Sequence, residues 1–153
     1  MTRVRHVTQI AAPAARCFDA ARDIDLHMAS VAHTGERAVA GRTSGLIGLG
    51  ETVTWRAKHL GVVQHLTSKI TAFDPPHYFQ DRMVKGGVAS FVHDHRFEEI
   101  DGRTTMTDVI EFRSPLCPLG WLVDTLFLRG YLERLLTRRA EVLRRALEQP
   151  LRP

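Results

Sequence analysis

The chain has 153 residues, 44% of them hydrophobic and 25% charged, enough to bury one core and too few for two, so residues 1–153 read as a single domain. No apolar run is long enough to span a bilayer, and residues 1–10 alternate polar and apolar without the continuous apolar stretch of a secretion signal, so a cytoplasmic protein is expected. The formal net charge is +4, but much of the excess is arginine near the C-terminus (Arg129, Arg134, Arg138, Arg139, Arg144, Arg145 and Arg152), which reads as a solvated helix surface; with no aromatic-interleaved basic strand or helix-turn-helix pattern, no nucleic-acid partner is expected.

Along the chain, the alternation of Val4, His6, Thr8 and Ile10 predicts a first strand. Pro13 suits the first turn of a helix running through Arg22, with Cys17, Phe18 and Ala21 on its buried side. Asp23 is placed to cap a second short helix that reaches about Ala32. A weak strand is expected over 36–42. The glycine-rich run SGLIGLG (44–50) lacks the lysine and spacing of a phosphate loop and reads as a mobile connection. Strands follow at 51–60, 62–73, 77–84, 88–100 and 103–113. Asp74-Pro75-Pro76 interrupts them, because neither proline can donate to a ladder. Asp101-Gly102 is a strong type I′ hairpin signal. Ser114–Pro118 reads as a hinge. From Leu119 to Gln149 apolar residues recur at helical spacing, about 45 Å of helix at 1.5 Å per residue, with Gly130 as a bend or a close-packing point. The two cysteines, Cys17 and Cys117, form no CxxC pair and read as small buried hydrophobes.

This order, β-α-α-β(6)-α, resembles the helix-grip fold of the START-like or SRPBCC superfamily, which holds Bet v 1, polyketide cyclases/dehydrases and lipid-transfer proteins. The runs VTWRAKHLGV (53–62), LTSKITAFDPP (66–76), FQDRMVKGG (79–87), FVHDHRFEE (91–99), MTDVIEF (106–112) and PLGWLVDTLFLRGYL (118–132) are similar to its bacterial ligand-binding group. The resemblance implies an α+β fold in which a curved antiparallel sheet of about seven strands wraps a long C-terminal helix, with a cavity between them. It names no ligand, because the superfamily holds binders, carriers and enzymes.

A two-residue hairpin fixes register, so side chains can be assigned to faces. With Ile100 opposite Arg103, one face carries Phe91, His93, His95, Phe97, Met106, Asp108, Ile110 and Phe112. Its apolar content makes it the inner face. The Leu60-Gly61 turn likewise turns Val53, Trp55, Ala57 and His59 inward, beside Gln64, Leu66, Ser68 and Ile70. For 77–84, apolar content favours Phe79, Asp81 and Met83 inward, with Asp81 opposite His93 across a three-residue loop; a two-residue loop would face Gln80 and Arg82 inward instead.

The expected ligand contacts are therefore Trp55, Asp81, Met83, Phe91, His93, His95, Phe97, Met106, Asp108 and Phe112. A buried carboxylate needs a partner, and His95 is the nearest to Asp108. His93 and His95 share a face, as metal ligands must, but the sequence fixes no third ligand, so neither a metal nor another cofactor is expected. Three functions stay open: non-covalent binding of an apolar or amphipathic small molecule (lipid, polyketide or aromatic); cyclase- or dehydratase-like acid/base chemistry, with His95 as base and Asp108 orienting it; and docking of the basic C-terminal helix on an acidic partner or membrane surface. The oligomeric state is left open, a dimer being one option.

Overall fold

The computed structural model of the chain describes residues 1–59, 61–114 and 124–149. Strand β1 (Thr2–Ile10) is followed by helices α1 (Ala14–Ala21) and α2 (Ile24–Ser30) and a single 3₁₀ turn (Ala32–Thr34). Six strands come next: β2 (Arg37–Gly41), β3 (Thr52–His59), β4 (Val62–Asp74), β5 (Tyr78–Lys85), β6 (Ser90–Ile100) and β7 (Arg103–Arg113). They form one antiparallel sheet in the order β1-β7-β6-β5-β4-β3-β2. A wide π turn (Asp124–Leu128) leads into helix α3 (Arg129–Glu148), which runs through Gly130 without a break. Among the described residues no helix is long and apolar enough to cross a membrane. Cys117, most of the expected hinge and the first residues of the expected long helix lie outside the described residues.

The local chemistry explains most of these boundaries. Asp101 (φ 51°) and Gly102 (φ 73°) both adopt the left-handed conformation that a type I′ turn requires. The β6–β7 register follows from it, with His93 opposite Ile110, His95 opposite Asp108 and Phe97 opposite Met106. Asp23 caps α2 by accepting from the Asp25 and Leu26 amides. Pro13 precedes α1 and offers no side-chain cap; the Ala14 amide instead donates to Glu99 of β6 at 2.7 Å, which holds α1 against one end of the sheet.

The SGLIGLG segment is not the loose connection its glycines suggest. Its amides are bonded in sequence: Gly45 to Asp25, Ile47 to the Arg22 carbonyl, Gly48 to Glu51 and Gly50 to the Ile70 carbonyl. Ile47 is buried. The glycines let the backbone turn tightly (φ 70° and 78° at Gly45 and Gly50), and the turns are then fixed by hydrogen bonds.

The core has two parts. One surrounds Phe18 of α1, which meets Phe73, Phe79 and Phe97 edge-on at ring-centroid distances of 5.3, 5.4 and 5.6 Å. Cys17, Met106 and Leu143 complete it. The other joins Val4, Ile110, Phe112 and Leu136. Each deeply buried phenylalanine contributes on the order of 2–3 kcal/mol of hydrophobic stabilisation.

Candidate functional site

Two rows of inward side chains cross the middle of the sheet. One runs Ile70, Asp81, His93, Ile110; the other Phe73, Phe79, His95, Asp108. Strand β5 thus faces Asp81 inward and opposite His93, rather than Gln80 and Arg82. A register irregularity between Ile70 and Ala72 of β4 leaves Thr71 without a counterpart on β5.

The rows bring Asp81, His93, His95 and Asp108 into a square. A carboxylate only accepts, so the imidazoles donate. His93 Nε2 donates to Asp108 Oδ1 at 2.9 Å, and His95 Nε2 to Asp81 Oδ2 at 3.0 Å. On the other two sides, His93 Nδ1 lies 3.8 Å from Asp81 Oδ2 and His95 Nδ1 lies 2.8 Å from Asp108 Oδ1. This last contact is off the line of a hydrogen bond, so it acts as charge attraction and leaves the buried Nδ1 without an aligned partner among the described residues. Asp108 therefore has both imidazoles as partners, and its aligned hydrogen bond comes from His93, where the sequence pointed to His95. The imidazole centroids are 3.8 Å apart, and Phe79 stacks on His95 at 4.1 Å.

Arg139 of α3 completes the group. Its Nη2 donates to the Ala21 carbonyl at 2.6 Å and its Nη1 lies 3.7 Å from Asp108 Oδ1. The residue is only 8% exposed, so it is not part of the solvated surface expected for this helix. The legible signal was spacing: Leu132, Leu136, Arg139 and Leu143 fall on one helical stripe. The other described arginines behave as expected, Arg129 pairing with Glu133 and both Arg144 and Arg145 with Glu141 at exposed positions.

Burial and charge split the two histidines. Burial, together with the charge of His95, pushes His93 down to about 4. Burial also opposes charge on His95, but Asp108 and Asp81 outweigh it and raise its value above the ordinary histidine range. Burial would raise Asp81, yet His95, His93 and Arg139 hold it below the usual carboxylate range. Asp108 sits well below that range because the two imidazoles overcome its burial. When His95 is protonated, it and Arg139 balance Asp81 and Asp108; the two imidazoles and two carboxylates are coupled and titrate as a unit.

A cavity of about 280 Å³ lies between the sheet and α3. Of the expected contacts, Trp55, Asp81, Phe91, His93, His95 and Phe112 line it. Asp108 lies behind the imidazoles, 2% exposed. Three others do not reach it. Phe97 and Met106 face inward but are sealed into the core beneath Phe18, because α1 covers their end of the sheet. Met83 turns along the β5–β6 connection against Gly86. The structure adds Arg139, Tyr131 and a pair from the N-terminal half, His27 and Glu36. The last two are hydrogen-bonded, and His27 packs on Trp55 with ring centroids 4.4 Å apart. Sequence periodicity could not find this pair, because α2 and the connection leading into β2 meet the cavity only through tertiary packing.

A family model described as "Polyketide cyclase / dehydrase and lipid transport" matches residues 1–148. The chain belongs to this family. No curated protein matches its sequence. Among solved structures, TTHA0849 from Thermus thermophilus is similar at TM-score 0.74 and 17% identity, covering 95% of this chain and 99% of that one. The Zhui aromatase/cyclase from a Streptomyces species is similar at TM-score 0.68 and 17% identity, covering 95% of each chain. At this identity the likeness is one of fold: the Bet v 1-like arrangement of seven antiparallel strands around a C-terminal helix. Membership of the polyketide cyclase/dehydrase and lipid transport family points to ligand binding or cyclase chemistry at the class level.

Proposed function

We propose that the chain binds a small amphipathic molecule non-covalently between the sheet and α3. Its apolar body rests on Trp55, Phe91 and Phe112, and its polar end faces Asp81, His93, His95 and Arg139. The observation that carries this reading is the convergence of these four polar groups on one wall of a hollow lined largely by apolar side chains, the usual composition of a ligand site. A volume of about 280 Å³ lies just below the range for such sites, roughly 300–1,000 Å³, which favours a compact ligand over a long-chain lipid.

Native mass spectrometry of freshly purified protein, with a denatured control, tests the reading. The expected result is a reproducible added mass, lost on denaturation and absent from a Leu132→Trp variant that fills the hollow. If wild type carries no added mass and an apolar fluorescent probe binds it no better than the filled variant, the reading fails.

A second reading is acid/base chemistry of the cyclase or dehydratase kind at the same wall. It is favoured by one observation: His95 holds its proton more tightly than an ordinary histidine while its Nε2 faces Asp81 at the cavity surface. For a ligand that is turned over, His95→Gln should abolish turnover if His95 transfers the proton, and only weaken binding if it is an anchor.

A further inference from the structure

We infer that the polar wall is a site for one divalent transition-metal ion, ligated by His93 Nδ1, His95 Nε2 and an Asp81 carboxylate oxygen, with Asp108 orienting both imidazoles from behind. The site goes beyond small-molecule binding and stands whether or not an organic ligand occupies the hollow.

The first support is distance. The three ligand atoms lie within 4.8 Å of one another. The Asp81 oxygen is 3.0 Å from His95 Nε2 and 3.8 Å from His93 Nδ1. In a tetrahedral site with bonds of about 2.0–2.1 Å, neighbouring ligand atoms are about 3.3 Å apart, between the two separations seen. An ion at the centre replaces the direct His95–Asp81 hydrogen bond, and the Nε2 proton leaves to solvent.

The second support is orientation. The ring nitrogens that do not face the ion, His93 Nε2 and His95 Nδ1, both lie within 2.9 Å of the same Asp108 oxygen. A metal-bound histidine characteristically gives its other nitrogen to such a carboxylate, which sets the tautomer and holds the ring. It also gives the orphaned His95 Nδ1 a use, since in the metal-bound tautomer this atom carries the proton, 2.8 Å from Asp108 Oδ1, and a small rotation of the ring brings the two into line.

The third support is charge. Asp81 and Asp108 contribute two negative charges and Arg139 one positive. With both imidazoles neutral, as ligation requires, one negative charge is left in a buried wall. Arg139 lies beside Asp108 and lines the same cavity as the three ligands, so it offsets one of the two carboxylates and leaves the other for the ion. Two imidazoles and one carboxylate suit zinc-like or other first-row ions over calcium or magnesium, which prefer oxygen ligands. Three protein ligands on one side leave a coordination position open toward the cavity.

The test is titration of the metal-free full chain with Co²⁺, without organic ligand, followed by visible absorption. One equivalent should produce the intense d–d bands of a low-coordinate cobalt site, and Zn²⁺ should erase them. Asp81→Asn and His93→Gln should lose the bands. Asp108→Asn should keep them with about 10–100-fold weaker binding. His33→Gln and His65→Gln, at exposed positions, should change nothing. Should an inner variant fail to fold by circular dichroism, proton NMR of the wild-type Co²⁺ form decides, with two paramagnetically shifted exchangeable imidazole protons expected. Absence of bands at saturating Co²⁺, bands that survive Asp81→Asn and His93→Gln, or no shifted imidazole protons would each overturn the site. Because no organic ligand is present, such a failure leaves the small-molecule reading untouched, and a clean apo mass leaves this one untouched.

Discussion

Phe91 and Phe97 stand on the same strand and point to the same side of the sheet, yet their surroundings are opposite. Phe97 is 1% exposed and locked under Phe18. Phe91 is half-buried and looks into the hollow. The strand treats them alike; the covering layer does not. Helix α1, pinned by Glu99, fills one end of the inner face, while the other end is roofed by α3 at a distance that leaves space. Alternation along a strand decides which way a side chain points, and only the second layer decides whether it meets protein or a void.

The sharpest way to break this contrast is truncation at the filled end. Phe97→Ala should cost about 3–5 kcal/mol, read as a lowered urea midpoint. Next comes the wall between the two ends. Arg139→Met removes the cation beside Asp108 and leaves the Ala21 carbonyl without its donor, so a loss of about 3 kcal/mol is expected by the same measurement.

Acid should produce an effect of similar or smaller size. His93 falls from 6.5 to about 4 on folding, so between those pH values the unfolded chain takes up a proton that the folded chain refuses. Stability therefore falls as pH drops through that window, by on the order of 3 kcal/mol. His95, raised on folding, has the opposite sign: its contribution is complete below the unfolded value and is lost as pH rises through the folded one. The groups facing both rings are Asp81, Asp108 and Arg139. Both carboxylates are lowered on folding, so their loss comes mainly at pH values below the His93 window. Denaturation midpoints against pH should pass through a maximum, with His93→Gln flattening the acid limb and His95→Gln the alkaline limb. The smallest effect should be at the hollow end, where Phe91→Ala is expected to cost about 1 kcal/mol while weakening probe binding more than Phe97→Ala does per unit of stability lost.

How much of this was legible follows from the same contrast. The Asp101-Gly102 turn fixed the β6–β7 pairing, and with it the inward set that includes His93, His95 and Asp108. The apolar content of 77–84 turned Asp81 the same way. These are local signals, set by turn geometry and a period of two. Phe97 and Met106 were assigned to the correct face but not to the filled end, because nothing in β6 or β7 tells where α1 will dock. Arg139 looks like the arginines around it until its stripe is compared with Leu132, Leu136 and Leu143. The SGLIGLG run misled in the other direction, since glycine signals conformational freedom in the unfolded chain but not what becomes of each amide once Asp25, Glu51 and the backbone accept from them.

The bond from Arg139 to the Ala21 carbonyl joins residues 118 positions apart in the chain, and this bears on the order in which the protein assembles. Strands β5, β6 and β7 are linked by short connections, so Asp81, His93, His95 and Asp108 can gather from contacts close in sequence. The first strand and the last helix must close loops of over a hundred residues, which adds only about 0.6 kcal/mol for each doubling of length but slows the search for the native pairing. The wall is therefore expected to form before its roof docks. During that interval two carboxylates face two imidazoles without their guanidinium, and a proton on His95 is the nearest available compensation. Refolding followed by pulsed hydrogen exchange should show amides of residues 78–113 protected before those of 129–148, with the gap between them widening as the pH is lowered toward the point where His95 is fully charged.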